Sequence, residues 1–285
     1  MSVVVFGGHG TFGSLLVAEL PGAVPVGRRT GHDVRDAAAC ARALEGRRVA
    51  VNCAGPFQDF DDTLARACLD AGCHYVDIAD DRAYCASIRA LDGAFRERGL
   101  TAAYGCSSLP GISGALAALV KPTRARVTLF IGNKNPKGAA AVASFARGRF
   151  SLRDGADVEL PQPFGRRRVY FDLDSPDKDL IDADEVIVKV GFESRLGTWL
   201  MPLLGPRILA FCARLFPFGS SGGAVMVEDL DSGRREAVVA RENGQRLAIL
   251  PAVCVVRALE AGGARPGAHT AAEVLGAEAL LAALS

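Results

Sequence analysis

Near the amino terminus Gly8, Gly10 and Gly13 stand in the spacing G-x-G-x-x-G, directly after the apolar run Val3–Phe6 and directly before a helical pattern. Glycine has no Cβ, so backbone carrying it at these intervals can approach a bulky anion closely. Gly8 reads as the tight turn, Gly10 as the point of closest approach to a pyrophosphate, and Gly13 as the place where helix and strand pack together. The helix N-terminus that follows offers unpaired N–H groups to the same anion. The chemistry implied is dinucleotide binding. The competing reading is a strand–helix turn that binds nothing.

The end of the second strand selects between dinucleotides. Proteins that hold a free ribose 2′-hydroxyl place Asp or Glu there, about 20 residues past the glycines. Here that position reads Val26-Gly27-Arg28-Arg29, with no acid. Two guanidiniums suit a 2′-phosphate, which arginine grips through paired hydrogen bonds. The expected cofactor is therefore NADP, ahead of NAD; the alternative is a pair of solvated loop arginines. Asp33, after a short connection, is expected near the adenine.

Hydride chemistry asks the protein for orientation and one proton donor or polarising group. Two loops follow strand patterns and carry suitable side chains. The first is Asp77-Ile78-Ala79-Asp80-Asp81, where two adjacent carboxylates could raise a pKa by mutual repulsion. The second is Cys106-Ser107-Ser108. Asp80, Ser107 and Ser108 are the catalytic candidates, with Tyr104 and Lys134 as further donors. The alternative for the acids and the serines is helix capping. Cys68-x4-Cys73-His74 has the look of a metal pattern but lacks a second ligand pair at matching spacing, so no metal is expected. His32 and His269 read as surface residues.

These residues need elements to hold them. Strand patterns at Val3–Phe6, Ala23–Val26, Val49–Cys53, His74–Ala79 and Leu100–Tyr104 alternate with helical patterns at Thr11–Leu20, Asp61–Ala71 and Arg82–Arg98. Such βα alternation predicts a parallel sheet covered on both faces. The rhythm changes after Lys121-Pro122. Strands follow at Arg126–Ile131, Val169–Leu173 and Glu185–Phe192, with a helix at Lys137–Arg147 and a charged, Pro- and Gly-rich stretch over Arg153–Arg168. A hairpin is expected over Val225–Asp229 and Glu236–Arg241, and helices over Leu247–Ala261 and Thr270–Leu284. The predicted fold is α/β: a Rossmann-like doubly wound parallel sheet, residues 1–121 and 242–285, with an inserted α+β domain at 122–241 for substrate and dimerisation.

Bulk properties narrow the field. The 285 residues are 49% hydrophobic with a formal net charge of +1, so no strong field favours nucleic acid. Eight cysteines without a secretory signal pattern suit free thiols in the cytoplasm. No transmembrane segment is expected, because no run of 18 apolar residues occurs. Residues 198–218, TWLMPLLGPRILAFCARLFPF, read either as buried helices or as a peripheral membrane contact.

The run Asn52-Cys53-Ala54-Gly55-Pro56-Phe57 puts small residues at a strand end, where a ribose and pyrophosphate can come close, and Pro56 fixes the turn. Together with TLARACLDAGCHYVDIADD (63–81) and YGCSSLPGISGAL (104–116) it resembles the saccharopine dehydrogenase-like reductases. The likeness continues through IGNKNPKG (131–138), GSSGGAVMVE (219–228) and LPAVCVVRAL (250–259). It implies an NAD(P) domain, a mixed second domain and nicotinamide-dependent redox chemistry. By matched motif the cofactor positions would be Gly8, Gly10, Thr11, Phe12, Gly13, Arg28, Asn52, Ala54, Gly55, Pro56 and Phe57, with Arg29 and Asp33 added from the residues themselves. The saccharopine-forming members carry an acid before a Pro-Gly pair; this chain has Ser107-Ser108-Leu109-Pro110-Gly111 there. The expected function is an NADP-dependent oxidoreductase acting on a C=N, C=O or activated C=C bond of a small molecule, working as a homodimer. The alternatives are a non-catalytic NADP-binding sensor or scaffold and a lipid-associated reductase.

Overall fold

The computed structural model describes residues 2–136, 155–169, 171–193 and 219–284. In the first part, strands alternate with helices: β1 (Val3–Phe6), α1 (Thr11–Glu19), β2 (Val24–Val26), α2 (Ala37–Leu44), β3 (Val49–Asn52), α3 (Thr63–Ala71), β4 (His74–Asp77), α4 (Arg82–Arg89), α5 (Asp92–Glu97) and β5 (Thr101–Tyr104). Every residue of β1, β3 and β5 is buried. Continuous burial, without alternation, is what a parallel strand covered on both faces requires. Then come α6 (Ser113–Val120) and β6 (Arg124–Ile131), β7 (Ala156–Leu160), β8 (Gly165–Val169), β9 (Phe171–Asp172), α7 (Asp177–Leu180), β10 (Glu185–Phe192), β11 (Gly223–Asp229) and β12 (Arg235–Ala240). The chain ends with α8 (Leu250–Glu260), β13 (Gly267–Thr270), α9 (Ala271–Leu275) and α10 (Ala277–Leu284).

Six strands form a parallel, Rossmann-like sheet in the order β13-β5-β4-β3-β1-β2. After β1 the chain moves outward to β2, then returns past β1 to β3. That reversal opens a crevice between the carboxyl ends of β1 and β3, the place where doubly wound sheets bind ligands. The second sheet is mixed, ordered β12-β11-β6-β10-β9, with β10 parallel to β6 and the other pairs antiparallel. Leu116, Ala117 and Val120 of α6 pack on one face, against Val127, Val188, Val225 and Val227. Val158, Leu160, Phe164 and Val169 of the β7–β8 hairpin cover the other face, over Phe130, Ala224 and Met226.

The structure departs from the sequence pattern at several places, each with a local cause. The charged stretch after Arg153 holds the β7–β8 hairpin. Asp157 and Glu159 point outward while Val158 and Leu160 point inward, an alternation that the flanking Pro and Gly residues mask. The single helix expected over Arg82–Arg98 is two. Asp92 begins the second and holds the N–H of Ala268 on β13 at 2.9 Å. The last helix is broken at Gly276, whose φ of +83° a right-handed helix does not hold. Helix α2 has no clear amphipathic signal in the sequence; it is alanine-rich and starts after Asp36, whose carboxylate accepts from the N–H groups of Ala38 and Ala39. Strand β13 is four residues with little apolar character, and the edge of β5 completes it. His269 on that strand is buried, contrary to its expected surface place, with Nε2 at 3.1 Å from the Pro266 carbonyl. The expected helix at Lys137–Arg147 and the apolar segment 198–218 lie outside the described residues. Among the described residues no helix is long and apolar enough to cross a membrane.

Candidate cofactor and active site

The glycine loop sits at the β1 side of the crevice. Gly7 makes the tight turn, at φ +72°, and a Cβ there would come within 2.7 Å of the Ala54 nitrogen and the Cys53 carbonyl. The Gly7 carbonyl then accepts from Gly10 N–H at 2.8 Å, and a Cβ on Gly13 would collide with that same oxygen. Gly8 lies against β2, where a Cβ would meet Pro25 at 2.7 Å. Gly10 differs from the other three: its Cβ would meet only the Gly7 oxygen, at 3.1 Å. A side chain on Gly10 would therefore reach out of the loop rather than into protein. Helix α1 starts here with Gly10 as a cap that has no side-chain acceptor. The N–H groups of its first turn, Thr11, Phe12 and Gly13, have no acceptor within the helix.

Past β2 the backbone folds into a short turn. Thr30 Oγ1 accepts from Gly27 N–H and donates to the Gly27 carbonyl, both at 2.9 Å. This presents Arg28 and Arg29, both exposed, with no side-chain hydrogen bond or ion pair among the described residues. Asp33 has a partner of its own. Both of its oxygens face the Arg35 guanidinium, at 3.0 and 2.6 Å, and that hydrogen-bonded pair holds its carboxyl down at about 2.

The turn from Cys53 to Pro56 forms the opposite wall of the crevice. Asn52, which precedes it, is 1% exposed and turns its amide into the protein. Its Oδ1 accepts from Ala54 N–H at 3.0 Å, and its Nδ2 donates to Tyr84 Oη at 3.0 Å and Tyr75 Oη at 3.4 Å. The two tyrosine hydroxyls are 2.8 Å apart. Phe57 is buried against the Tyr84 ring, with centroids 5.1 Å apart. Of the turn residues singled out in the sequence, Ala54, Gly55 and Pro56 are half-exposed and border the crevice. Asn52 and Phe57 are held behind it.

Next along the sheet, register places Asp77 opposite Asn52. Asp77 is fully buried, and one oxygen accepts from Ala79 N–H at 3.0 Å and Gly105 N–H at 2.7 Å. The carboxylate thus ties the loop of Asp80 to the loop of Ser107 and Ser108. Its second oxygen is buried without a partner. Burial pushes the carboxyl up to about 6, against the two backbone N–H groups and the Tyr75 hydroxyl that favour its charge. Burial and the Asp77 charge also push the thiols of Cys53 and Cys106 up, away from reactive thiolate.

The three catalytic candidates have distinct surroundings. Asp81 takes the capping role, accepting from Tyr84 N–H at 2.8 Å, and so leaves Asp80 uncommitted. Asp80 is exposed at the end of β4's loop; desolvation, with the neighbouring Asp81 charge, pushes its carboxyl up to about 6. Ser107 and Ser108 are 8% and 7% exposed, and Ser107 precedes the kinked segment Ser108–Ile112, extended at Leu109, without capping it through its side chain. Tyr104 is buried on the α4 side of the sheet among Cys85, Arg89 and Leu180, and Lys134 is exposed in the turn that follows β6. Cys68 and Cys73 are buried, with Cys73 Sγ 3.0 Å from the Arg47 carbonyl, while His74 Nδ1 accepts from Thr101 N–H at 3.0 Å. Asp77 heads the acidic loop that the sequence points to, but its tie to Gly105 has no local signal. Gly7 is legible as the first of two adjacent glycines, and Tyr75 and Tyr84 carry no local signal.

Residues 28–103 match the family described as the saccharopine dehydrogenase NADP binding domain. The matched stretch begins at Arg28 and runs through Asn52, the Ala54–Phe57 turn, Asp77 and Asp80 to β5. No curated protein matches the chain in sequence. An amine dehydrogenase from Mycobacterium smegmatis superposes with a TM-score of 0.50 at 11% identity, covering 94% of each chain. That likeness shows the fold. An engineered D-amino acid dehydrogenase gives a TM-score of 0.46 at 15% identity, over 98% of this chain and 95% of the other. GenD2 from gentamicin A biosynthesis, solved with NAD, gives 0.42 at 16%, over 99% and 91%. Family and fold together support an NAD(P)-binding oxidoreductase.

Proposed function

We propose that this protein is an NADP-dependent oxidoreductase that moves a hydride to or from a C=N, C=O or activated C=C bond of a small molecule. One observation carries the cofactor choice. The glycine loop opens only at Gly10, and two exposed guanidiniums stand past the neighbouring strand, Arg29 and Arg28, the latter near enough to Asp33 to help hold its carboxyl down. The cradle suits a dinucleotide: a Cβ at Gly10 would project toward the pyrophosphate position, while Gly7, Gly8 and Gly13 are closed by protein. In this reading the first-turn N–H groups of Thr11, Phe12 and Gly13 hold the pyrophosphate. Arg28 and Arg29 take the 2′-phosphate, and Ala54, Gly55 and Pro56 line the ribose side. Asn52 and Phe57 act from behind the turn, and Asp33 shapes the loop through Arg35. When bound, the nicotinamide supplies or accepts the hydride.

The chain's own part is to orient the dinucleotide and deliver a proton. Asp80 is the first choice of donor: it reaches solvent, Asp81 and not Asp80 caps α4, and its carboxyl is held near 6. Ser107 and Ser108 are placed by the adjoining loop as polarising hydroxyls. Leu109, where the saccharopine-forming members carry an acid before Pro-Gly, argues for a substrate other than saccharopine. In the same reading, residues 1–121 and 242–285 are the dinucleotide domain and 122–241 the substrate domain, which fits a chain entering the second sheet at Arg124 and leaving it at Ala240. A homodimer and a cytoplasmic location complete the proposal; free thiols at the seven described cysteines suit the latter.

Calorimetric titration with NADPH and NADH side by side tests the cofactor. Tight NADPH and weak NADH are expected; binding of neither would refute the reading. Loss of NADPH absorbance over a panel of imines, ketones and enones then tests turnover. Asp80→Asn should abolish it, while Ser107→Ala and Ser108→Ala should slow it.

A further inference from the structure

We propose that Tyr84 is a positioning residue for the dinucleotide, acting on the Cys53–Pro56 turn from behind. The inference rests on reading that turn as a wall of the cofactor site. Tyr84 comes from α4, outside the crevice, and is 3% exposed. It holds the turn at both ends. Its hydroxyl accepts from Asn52 Nδ2 at 3.0 Å, and its ring packs on Phe57 at 5.1 Å. Four residues, Cys53 to Pro56, hang between those two anchors.

The Asn52 bond sets more than its own side chain. An Asn amide has one oxygen that accepts and one nitrogen that donates, so turning Nδ2 to the tyrosine hydroxyls turns Oδ1 to the Ala54 N–H. Tyr84, whose hydroxyl is the nearer of the two acceptors, with Tyr75 Oη at 3.4 Å, therefore leads in holding Asn52 in the orientation that ties the first residue of the turn bordering the crevice. The turn has little room for error. Ala54 N and the Cys53 carbonyl lie so near Gly7 that a single Cβ there would sit 2.7 Å from both. A shift of the turn toward the glycine loop narrows the dinucleotide channel, and a shift away loosens it. Helix α4 is itself anchored: Asp81 caps it, and Arg82 pairs with Asp179 at 2.5 Å and Asp174 at 3.1 Å beside the second sheet.

Tyr84→Phe keeps the ring against Phe57 and removes the hydroxyl. In the full chain, at a temperature where both proteins are folded, NADPH Kd should rise about threefold to tenfold, because binding must then order a turn that the hydroxyl holds in advance. Amide exchange at Ala54 should accelerate by a similar factor. Ser87→Ala, which removes a hydroxyl bonded to the Tyr84 carbonyl on the same helix, should leave both readouts within twofold of the parent. Phe57→Leu, a second variant that keeps the hydroxyl and removes the ring contact, should weaken NADPH severalfold. Unchanged Kd and unchanged Ala54 exchange in Tyr84→Phe would overturn the proposal and make Tyr84 ordinary core packing. Should the parent bind neither NADPH nor NADH, the cofactor reading fails first, and faster Ala54 exchange in Tyr84→Phe would show the clamp without its assigned ligand.

Discussion

Asp77→Asn should change how stability depends on pH. Asp77 is fully buried, one of its oxygens has no partner, and its carboxyl is pushed from 3.8 up to about 6. The groups that feel its charge are Tyr75, Tyr84 and Tyr104 with Cys53, Cys85 and Cys106, none of them a cation. A rise of that size corresponds to about 3 kcal/mol at ~1.36 kcal/mol per pH decade. The sign follows from proton counts. Below pH 3.8 the folded and unfolded states both hold the proton, and burial costs nothing electrostatically. Between about 4 and 6 the folded state holds more protons, so stability falls as pH rises. Above about 6 the whole cost is present. Asparagine carries no titrating charge. Its own cost, from an amide nitrogen placed where an oxygen lacked a partner, is the same at every pH. The difference in unfolding free energy, variant minus parent, should therefore move in favour of the variant by about 2.4 kcal/mol between pH 4 and pH 7.5. Urea unfolding of both proteins at the two pH values measures it directly. A difference that does not vary with pH would mean that Asp77 titrates like an exposed carboxylate, and the assignment of a buried, charge-penalised acid would be wrong.

Three further outcomes are expected. Gly10→Val should abolish NADPH binding with little loss of stability, whereas Gly13→Ala should cost about 1–3 kcal/mol in thermal or urea unfolding because its Cβ meets the Gly7 carbonyl; equal stability losses would refute the division of roles. Arg28→Ala combined with Arg29→Ala should weaken NADPH by about 1.5–3 kcal/mol and leave NADH nearly unchanged; calorimetry showing equal losses would remove these arginines from phosphate recognition. Arg82→Ala should change stability by less than about 1 kcal/mol, since its ion pairs with Asp174 and Asp179 are solvent-exposed and screened; a larger loss in urea unfolding would mean that these pairs hold the two sheets together.

Much of both sheets was legible because the signals are local. Val3–Phe6 and Glu185–Phe192 match the pattern reading residue for residue, and the hairpin turn at Asp231-Ser232-Gly233 joins β11 and β12 as expected. An apolar run, a glycine stop or a turn dipeptide acts on its immediate neighbours, so the chain alone reports it. Strand β13 and the β7–β8 hairpin escaped for the opposite reason. Their residues are too few or too charged to announce a strand, and partners far along the chain complete them.

The candidate site divides along the same line. Glycine spacing, the absence of an acid after Val26 and the small-residue turn at Cys53–Pro56 are properties of short segments, and the sequence by itself determined them. Which side chains face the crevice was decided by the tertiary structure. Asn52 turns inward because two tyrosines, 23 and 32 residues later, offer it hydroxyls. Asp33 is taken by Arg35, and Asp81 rather than Asp80 caps α4. Asp77 matters because folding brings the N–H of Gly105, 28 residues on, to its carboxylate. A hydrogen bond has a direction and a reach of about 3 Å, so its partners are settled only when distant strands lie side by side.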